Sequence, residues 1–322
     1  MVFIKEKKIK GKKYYYLAKS IRFPDGKVHS IEKIIGDKKK PVIELERKNI
    51  DFFIQKEKEI FTDFALKNYS TDDVFAKEQL KKIEEMKVEY QYIIKKFSKK
   101  QWKDVFDRFI ANFTYESNAI EGNSLTLKDV AIVILEKRAI EGKDLREIYE
   151  TRNSRKVMDL ILKKRFAVNE EDIIKMHKML MKDIDVSTGY KQIPNYIVGS
   201  DVKLTLPEKV DKEMKELIKW QDKSLKNIHP LQVSALFHGK FERIHPFEDG
   251  NGRVGRFLSN IILVNKGYPP LIIRKSQRDS YLKCLQDFHR GYTKNLERFY
   301  LEKYKKTFRK FFSTYLKYIK NI

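Results

Sequence analysis

The sequence predicts a mainly α-helical protein with a small β-rich segment at its N-terminus. The chain has 322 residues, of which 41% are hydrophobic and 35% are charged, which is enough to bury a sizeable core. From about residue 42 onward, apolar residues recur with helical spacing. Before that point, aromatic and β-branched residues surround a Pro-Asp-Gly turn, which is typical of strands.

The N-terminal segment, residues 1–40, has the pattern of a basic β-hairpin. Three consecutive tyrosines lie in the run 13–17, the turn follows at 23–26, and a second β-type run covers 28–35. Two interpretations of this segment stay open: an accessory recognition module, or a small strand-rich cap on the helical scaffold.

The rest of the chain is predicted to be helical, with one interruption. Residues 41–104 form a helical arm rich in Lys and Glu, with a break near 68–72. Residues 105–300 form the main helical domain, and residues 301–322 a basic C-terminal helix. Within the main domain, residues 189–206 carry β-type residues and predict a hairpin.

The net charge of +24 suggests a polyanionic partner as one interpretation. Residues 1–40 carry 13 Lys/Arg against 4 Asp/Glu, and residues 294–322 carry 9 against 2. A solvated surface explains the same charge, so nucleic-acid contact through the basic ends is one alternative. Cys284 is the only cysteine, which excludes an intrachain disulfide. No apolar run approaches the roughly eighteen residues of a membrane span, and we expect no membrane partner and a cytoplasmic location.

The segment with the most chemical content is His245 to Arg256, between two stretches of helical spacing. His245 offers a base with a pKa near 7. Asp249 offers a hard oxygen for magnesium. The glycines between them allow backbone N–H groups to approach a phosphate. Arg253 and Arg256 are three residues apart in the first turn of the second helix, so both are expected on one face.

Two other interpretations of this segment are weaker. Residues 250–255 match the dinucleotide-binding pattern G-x-G-x-x-G, but a helix rather than a strand precedes them. A plain turn would explain the glycines, but not two arginines at a helix N-terminus, where the dipole disfavours cations. The sequence therefore favours a phosphoryl-transfer site.

The segment resembles the Fic-domain signature His-Pro-Phe-x-(Asp/Glu)-Gly-Asn-Gly-Arg-x-x-Arg and matches it at every specified position of residues 245–256. The resemblance covers roughly residues 105–300 and includes His238 and Tyr281. It implies a Fic-type helical bundle with a β-hairpin flap beside the active site, and an enzyme that transfers AMP from ATP to a Ser, Thr or Tyr hydroxyl of a protein, releasing pyrophosphate.

The resemblance also implies a role for each site residue. His245 is the general base, Asp249 holds the Mg²⁺ cofactor, and the flap docks the target by strand addition. Arg253 contacts the β-phosphate and Arg256 the γ-phosphate. The nucleotide-binding set is Gly250, Asn251, Gly252, Arg253, Arg256 and Tyr281, and the flap residues are Tyr196, Ile197 and Val198.

A second motif resembles the family's inhibitory sequence (Ser/Thr)-x-x-x-Glu-(Gly/Asn). Ser117 and Glu121 are four residues apart and share a helix face near residues 113–123, and Gly122 follows. The resemblance implies that Glu121 pairs with Arg256 and denies that arginine to the γ-phosphate. The same glutamate supports AMP removal in some relatives, which leaves a dual activity open.

Two alternative functions remain open at this point. In the first, the enzyme transfers a nucleotide other than AMP, since the loop recognises phosphates and not the base. Alternatively, the chain is a nucleic-acid-binding regulatory protein that uses its basic ends. The target is another protein or the chain itself, and Fic-type domains often form homodimers.

Overall fold

The computed structural model describes residues 2–38, 41–197 and 202–320. Within these residues, the strands form a single antiparallel sheet in the order β1-β2-β3, with the predicted hairpin as its second half. Its turn is closed by the Gly26 N–H, which donates to the Phe23 carbonyl at 3.0 Å. The strands are β1 (Val2–Ile9), β2 (Lys12–Arg22) and β3 (Val28–Gly36).

The sheet packs directly against the helical arm and shares its core. Phe23 stacks on Phe64 with ring centroids 4.8 Å apart. Lys19 is buried and forms an ion pair with Glu57 and a hydrogen bond with Tyr92. The N-terminal segment is therefore held by apolar and charged contacts to the arm.

The remaining elements are helices, as the sequence predicts from residue 42 onward. The arm breaks where Asp72 accepts hydrogen bonds from the N–H groups of Val74 and Phe75, both at 2.8 Å. A five-residue π-helical turn, Ile132–Glu136, follows α5. The helices are α1 (Val42–Lys48), α2 (Ile50–Asn68), α3 (Lys77–Lys96), α4 (Lys99–Ile120), α5 (Leu127–Ala131), α6 (Leu145–Leu162), α7 (Glu170–Leu180), α8 (Pro207–Ser224), α9 (Pro230–Ile244), α10 (Asn251–Asn265), α11 (Arg278–His289), α12 (Thr293–Phe311) and α13 (Ser313–Lys320).

Helices α9 and α10 lie at the centre of the helical domain. Val254, Phe257 and Leu258 of α10 are fully buried, as are Phe237 and Phe241 of α9. Because both helices are closely packed in the core, the two ends of the loop that joins them are fixed in position.

Residues 189–206 differ from the predicted hairpin. The described parts, 189–197 and 202–206, contain no strand. Residues 198–201, the turn of the predicted hairpin, lie outside the described residues, and two polar groups of the part before them bond to the loop after α9. The Lys191 N–H donates to the Pro246 carbonyl at 2.8 Å, and the Asn195 amide donates to the Phe247 carbonyl at 2.8 Å.

The predicted C-terminal boundary of the catalytic domain, residue 300, lies inside a helix. This helix is α12, so the boundary does not coincide with the end of an element. None of the helices in the described residues has the length and apolar character needed to cross a bilayer.

Candidate active site

The site begins where α9 ends. His245 caps that helix with a left-handed backbone, φ +50°, and its N–H donates to the Phe241 carbonyl at 2.9 Å. A left-handed conformation is uncommon for a residue with a side chain and is often found at functional sites. This conformation ends α9 and directs the chain into the loop.

Asn251 fixes the shape of the loop. Its side-chain oxygen accepts from the Phe247 N–H at 2.9 Å, and its side-chain nitrogen donates to the Phe247 carbonyl at 2.8 Å. Phe247 is fully buried and stacks on His177, with centroids 3.8 Å apart. His177 Nε2 lies 3.1 Å from the Asp249 carbonyl, which accepts from it. Asn251 therefore has a structural role in the loop, in addition to its place beside the cavity.

A cavity of about 330 Å³ lies against this loop and the first turn of α10. The first N–H groups of a helix have no carbonyl partner within the helix and attract anions. Gly250 is the N-cap of α10, with φ +81°, and a Cβ there would collide with Met181. The lining residues include Glu121, Ile197, Glu242, His245, Asp249, Gly250, Asn251, Gly252, Arg256 and Tyr281.

His245 is less basic than the sequence predicts. Burial lowers its pKa to about 4, the Glu242 carbonyl opposes this shift, and Lys191 adds to it. The prediction of a pKa near 7 is therefore wrong, because burial disfavours the charged imidazole. Nδ1 donates to the Glu242 carbonyl at 3.2 Å, which leaves Nε2 as the proton acceptor.

Arg256 is buried and paired with the end of α4. Its Nε donates to the Ser117 hydroxyl at 3.0 Å, and its Nη2 donates to the Ser117 carbonyl at 2.9 Å and to Glu121 Oε1 at 2.6 Å. Burial works against the guanidinium charge, but Glu121 outweighs it and raises the pKa of Arg256. The structure thus brings the two sequence motifs together.

Gly122 places Glu121 at this position. The Gly122 N–H donates to the Ala119 carbonyl and the Asn123 N–H to the Asn118 carbonyl, which is the Schellman pattern of a helix end. That pattern needs a left-handed residue, and Gly122 has φ +103°. Helix α4 therefore stops with Glu121 as its C-cap, beside the N-terminus of α10.

The Glu121 carboxylate lies on Gly252. A Cβ built on Gly252 would collide with Glu121 Oε1 and would lie 3.1 Å from Arg256 Nη1. A carboxylate therefore occupies the position at the start of α10 where the helix and the arginine attract an anion.

Arg253 does not line the cavity. Its guanidinium is buried and faces Glu150 Oε1 at 3.1 Å and Asp249 Oδ2 at 3.6 Å. Arg146 Nη2 lies 2.6 Å from the same Asp249 oxygen. The two arginines predicted on one face therefore point to different partners, because α6 supplies a carboxylate to one and α4 to the other. Nothing local in the sequence singles out Arg146 or Glu150.

Asp249 is the one predicted metal ligand. Its carboxylate is 39% exposed at the cavity edge. The described residues contain no cluster of three acidic, His or Cys side chains suited to a metal. Magnesium is commonly held by one or two carboxylates, water and substrate phosphates. Asp249 would therefore suit Mg²⁺ bound together with a phosphate.

Tyr281 and the predicted flap residues differ in their burial and in whether they line the cavity. Tyr281 is buried in the cavity wall, with its hydroxyl 2.5 Å from His238 Nε2. Tyr196 is 87% exposed, and Ile197 lines the cavity. Val198 lies outside the described residues.

Fold and site together define a helical domain whose central helix pair is joined by a loop that leads into the N-terminus of α10, next to a half-buried histidine. Residues 167–263 match the family model described as the Fic/DOC family. This match confirms, for residues 167–263, the resemblance to the Fic family seen in the sequence.

The relatives agree with this identification. The chain is 33% identical over 182 residues to a protein adenylyltransferase Fic of Nematostella vectensis, covering 55% of this chain and 43% of that protein. It is 31% identical over 180 residues to protein adenylyltransferase fic-1 of Caenorhabditis elegans, covering 54% and 35%. The chain thus spans less than half the length of these curated relatives.

Solved structures show the same fold. A Fic-domain-containing signaling protein from Bacteroides thetaiotaomicron has a TM-score of 0.64 at 22% identity, covering 74% of this chain and 97% of that one. A Fic family protein from Desulfovibrio desulfuricans has a TM-score of 0.60 at 27% identity, covering 77% and 76%.

Proposed function

We propose that the chain is a protein adenylyltransferase that transfers AMP from ATP to a Ser, Thr or Tyr hydroxyl. The observation that carries the proposal is the neutral His245 beside the N-terminus of α10, with Arg256 on the same cavity. A base and an anion site within one cavity suit the attack of a hydroxyl on a bound phosphate. The names of the curated relatives support the same activity.

The transfer needs one proton movement and one displacement. His245 Nε2 takes the proton of the target hydroxyl as its oxygen attacks the α-phosphorus. The bond from the α-phosphorus to the bridging oxygen breaks, and pyrophosphate leaves. The N–H groups of the first turn of α10 stabilise the phosphate charge, since they are preorganised and need no rearrangement.

Asp249 would hold the magnesium ion that accompanies the nucleotide. Bound there, Mg²⁺ supplies neutralisation of phosphate charge. The exposed side chain of Tyr196 and the loop that bonds to Pro246 and Phe247 would receive the target segment next to His245.

We propose further that the enzyme is autoinhibited. Glu121 occupies both the guanidinium of Arg256 and the space above Gly252. A γ-phosphate must displace this carboxylate to reach Arg256. ATP bound without that contact would hold its α-phosphate in a poor orientation for attack.

The test is His245→Ala, assayed with ATP labelled in the α-phosphate and with magnesium, in a chain that also carries Glu121→Gly. The substitution should abolish labelling of the protein or its targets, a loss of at least about 10²-fold for a general base. His29→Ala, an exposed histidine of β3, serves as the matched control. Labelling that survives His245→Ala would overturn the proposal.

The same experiment separates the alternatives. Competition by unlabelled UTP or GTP, stronger than by ATP, would indicate another transferred nucleotide. Salt-dependent RNA or DNA retention by the His245→Ala chain, with no labelling of either chain, would favour the nucleic-acid-binding interpretation.

A further inference from the structure

Glu242 is a buried acid beside His245 that no sequence motif singled out. It lies on α9, 6% exposed, and lines the cavity. Its Oε2 is 3.7 Å from His245 Nδ1, and its Oε1 is 3.8 Å from His238 Nε2. Oε1 has no hydrogen-bond partner among the residues that the structure describes.

Burying a carboxyl group without a full set of hydrogen-bond partners costs free energy, above all when the group is ionised. The groups packed around Glu242 therefore decide its protonation state. Gly255 of α10 provides its space, since a Cβ there would lie 2.8 Å from Glu242 Oε1. The titratable and charged groups around it come from five helices and their C-caps: Glu121 at the end of α4, His238 of α9 and His245 at its end, Arg256 of α10, Tyr281 and His289 of α11, and Tyr300 of α12.

We infer that Glu242 is a positioning residue whose carboxylate stabilises the imidazolium that His245 becomes when it accepts the proton of the target hydroxyl. This inference rests on the proposed function. The proton stays on His245 Nε2, and Nδ1–H remains on its nitrogen. Glu242 takes up no proton in the step and supplies only the opposite charge, 3.7 Å from Nδ1.

The stabilisation of the His245 imidazolium by Glu242 should depend on pH, because only the ionised carboxylate carries the opposite charge. Burial first, and then Glu121, raise the pKa of Glu242 to about 8, while Arg256 opposes the shift. Glu242 is therefore mostly protonated at neutral pH and ionises in mildly alkaline solution. Burial makes the charged form of His245 unfavourable, so an ionised neighbour lowers the cost of forming it.

The experiment compares single-turnover AMP transfer by Glu121→Gly and by Glu121→Gly/Glu242→Gln between pH 6.5 and 9.5. The rate of the first variant should rise up to about 30-fold, with an inflection at or below pH 8, because the ionised fraction of Glu242 rises over this range. The Gln variant has the same shape and no charge, so its profile should be flat and low. Identical profiles would overturn the inference.

A second readout does not depend on activity. The ¹³C signals of the His245 imidazole in the nucleotide-free chain should pass through an inflection near pH 8, which Glu242→Gln should remove. If the inflection is present and no variant transfers AMP, the proposed function fails and the coupling of the two residues stands. If the inflection is absent, the inference fails whether or not AMP is transferred. If the Gln variant does not fold, Glu242→Asp replaces it: it should keep an alkaline rise, and a flat profile would contradict the inference.

Discussion

Replacing Glu121 with glycine should convert a weakly active chain into an active one. The substitution removes the carboxylate that Arg256 Nη2 contacts at 2.6 Å and that lies on Gly252. Arg256 keeps its two bonds to Ser117, at 3.0 and 2.9 Å, so the guanidinium stays oriented towards the cavity. A γ-phosphate then finds the arginine without a competing anion.

The expected gain in activity of Glu121→Gly follows from the strength of the Glu121–Arg256 ion pair. A hydrogen bond between charged groups contributes about 1.5–3 kcal/mol, and the 41% exposure of Glu121 places the value in the lower half of that range. About 1.5–2 kcal/mol corresponds to a rise of about 10- to 30-fold in apparent ATP affinity or in the transfer rate.

The assay is calorimetric ATP titration together with radiolabel transfer, for wild type and for Glu121→Gly. Ser117→Ala is the matched control, because it removes one neutral acceptor of Arg256 and leaves the carboxylate in place. A bond of about 1 kcal/mol limits its effect to about fivefold. If Glu121→Gly shows no rise, or no more than Ser117→Ala, the competition for Arg256 is refuted.

Two further predictions follow from the same contacts. Gly252→Ala should weaken ATP binding even in the Glu121→Gly chain, because its Cβ fills the approach to the first turn of α10; calorimetric affinity equal to that of Glu121→Gly would contradict this. Stability to urea should fall as pH drops from about 6.5 towards 4, because the buried histidines bind protons at their ordinary pKa only when unfolded. The pKa values of these histidines are lower in the folded chain than in the unfolded chain. Their contribution to the free energy of unfolding is therefore fully present above pH 6.5 and is lost on acidification. A urea midpoint that does not change over this range would disprove it. The pKa is lowered to about 4 for His177, about 3 for His238 and about 4 for His245.

Much of the fold was predictable because it depends on local patterns. Helical spacing around residue 245 predicted α9, the loop and α10, and Gly122 marked the end of α4. The turn at Gly26 predicted the β2–β3 pair. The hairpin at 189–206 was predicted from β-type residues alone. Its described parts contain no strand, and Lys191 and Asn195 bond to the loop after α9, which no local pattern reveals.

The sequence by itself determined the loop, the helices that flank it and the glycines that its backbone requires, because these features depend on conformational preferences of neighbouring residues. Only the tertiary structure decided the charges of the site. Burial makes His245 a weaker base than its residue type indicates, and Glu150 of α6 turns Arg253 away from the cavity. Helices distant in sequence surround Glu242 and raise its pKa. Desolvation and ion pairing depend on which groups the folded chain brings within a few ångströms, and that information is not local.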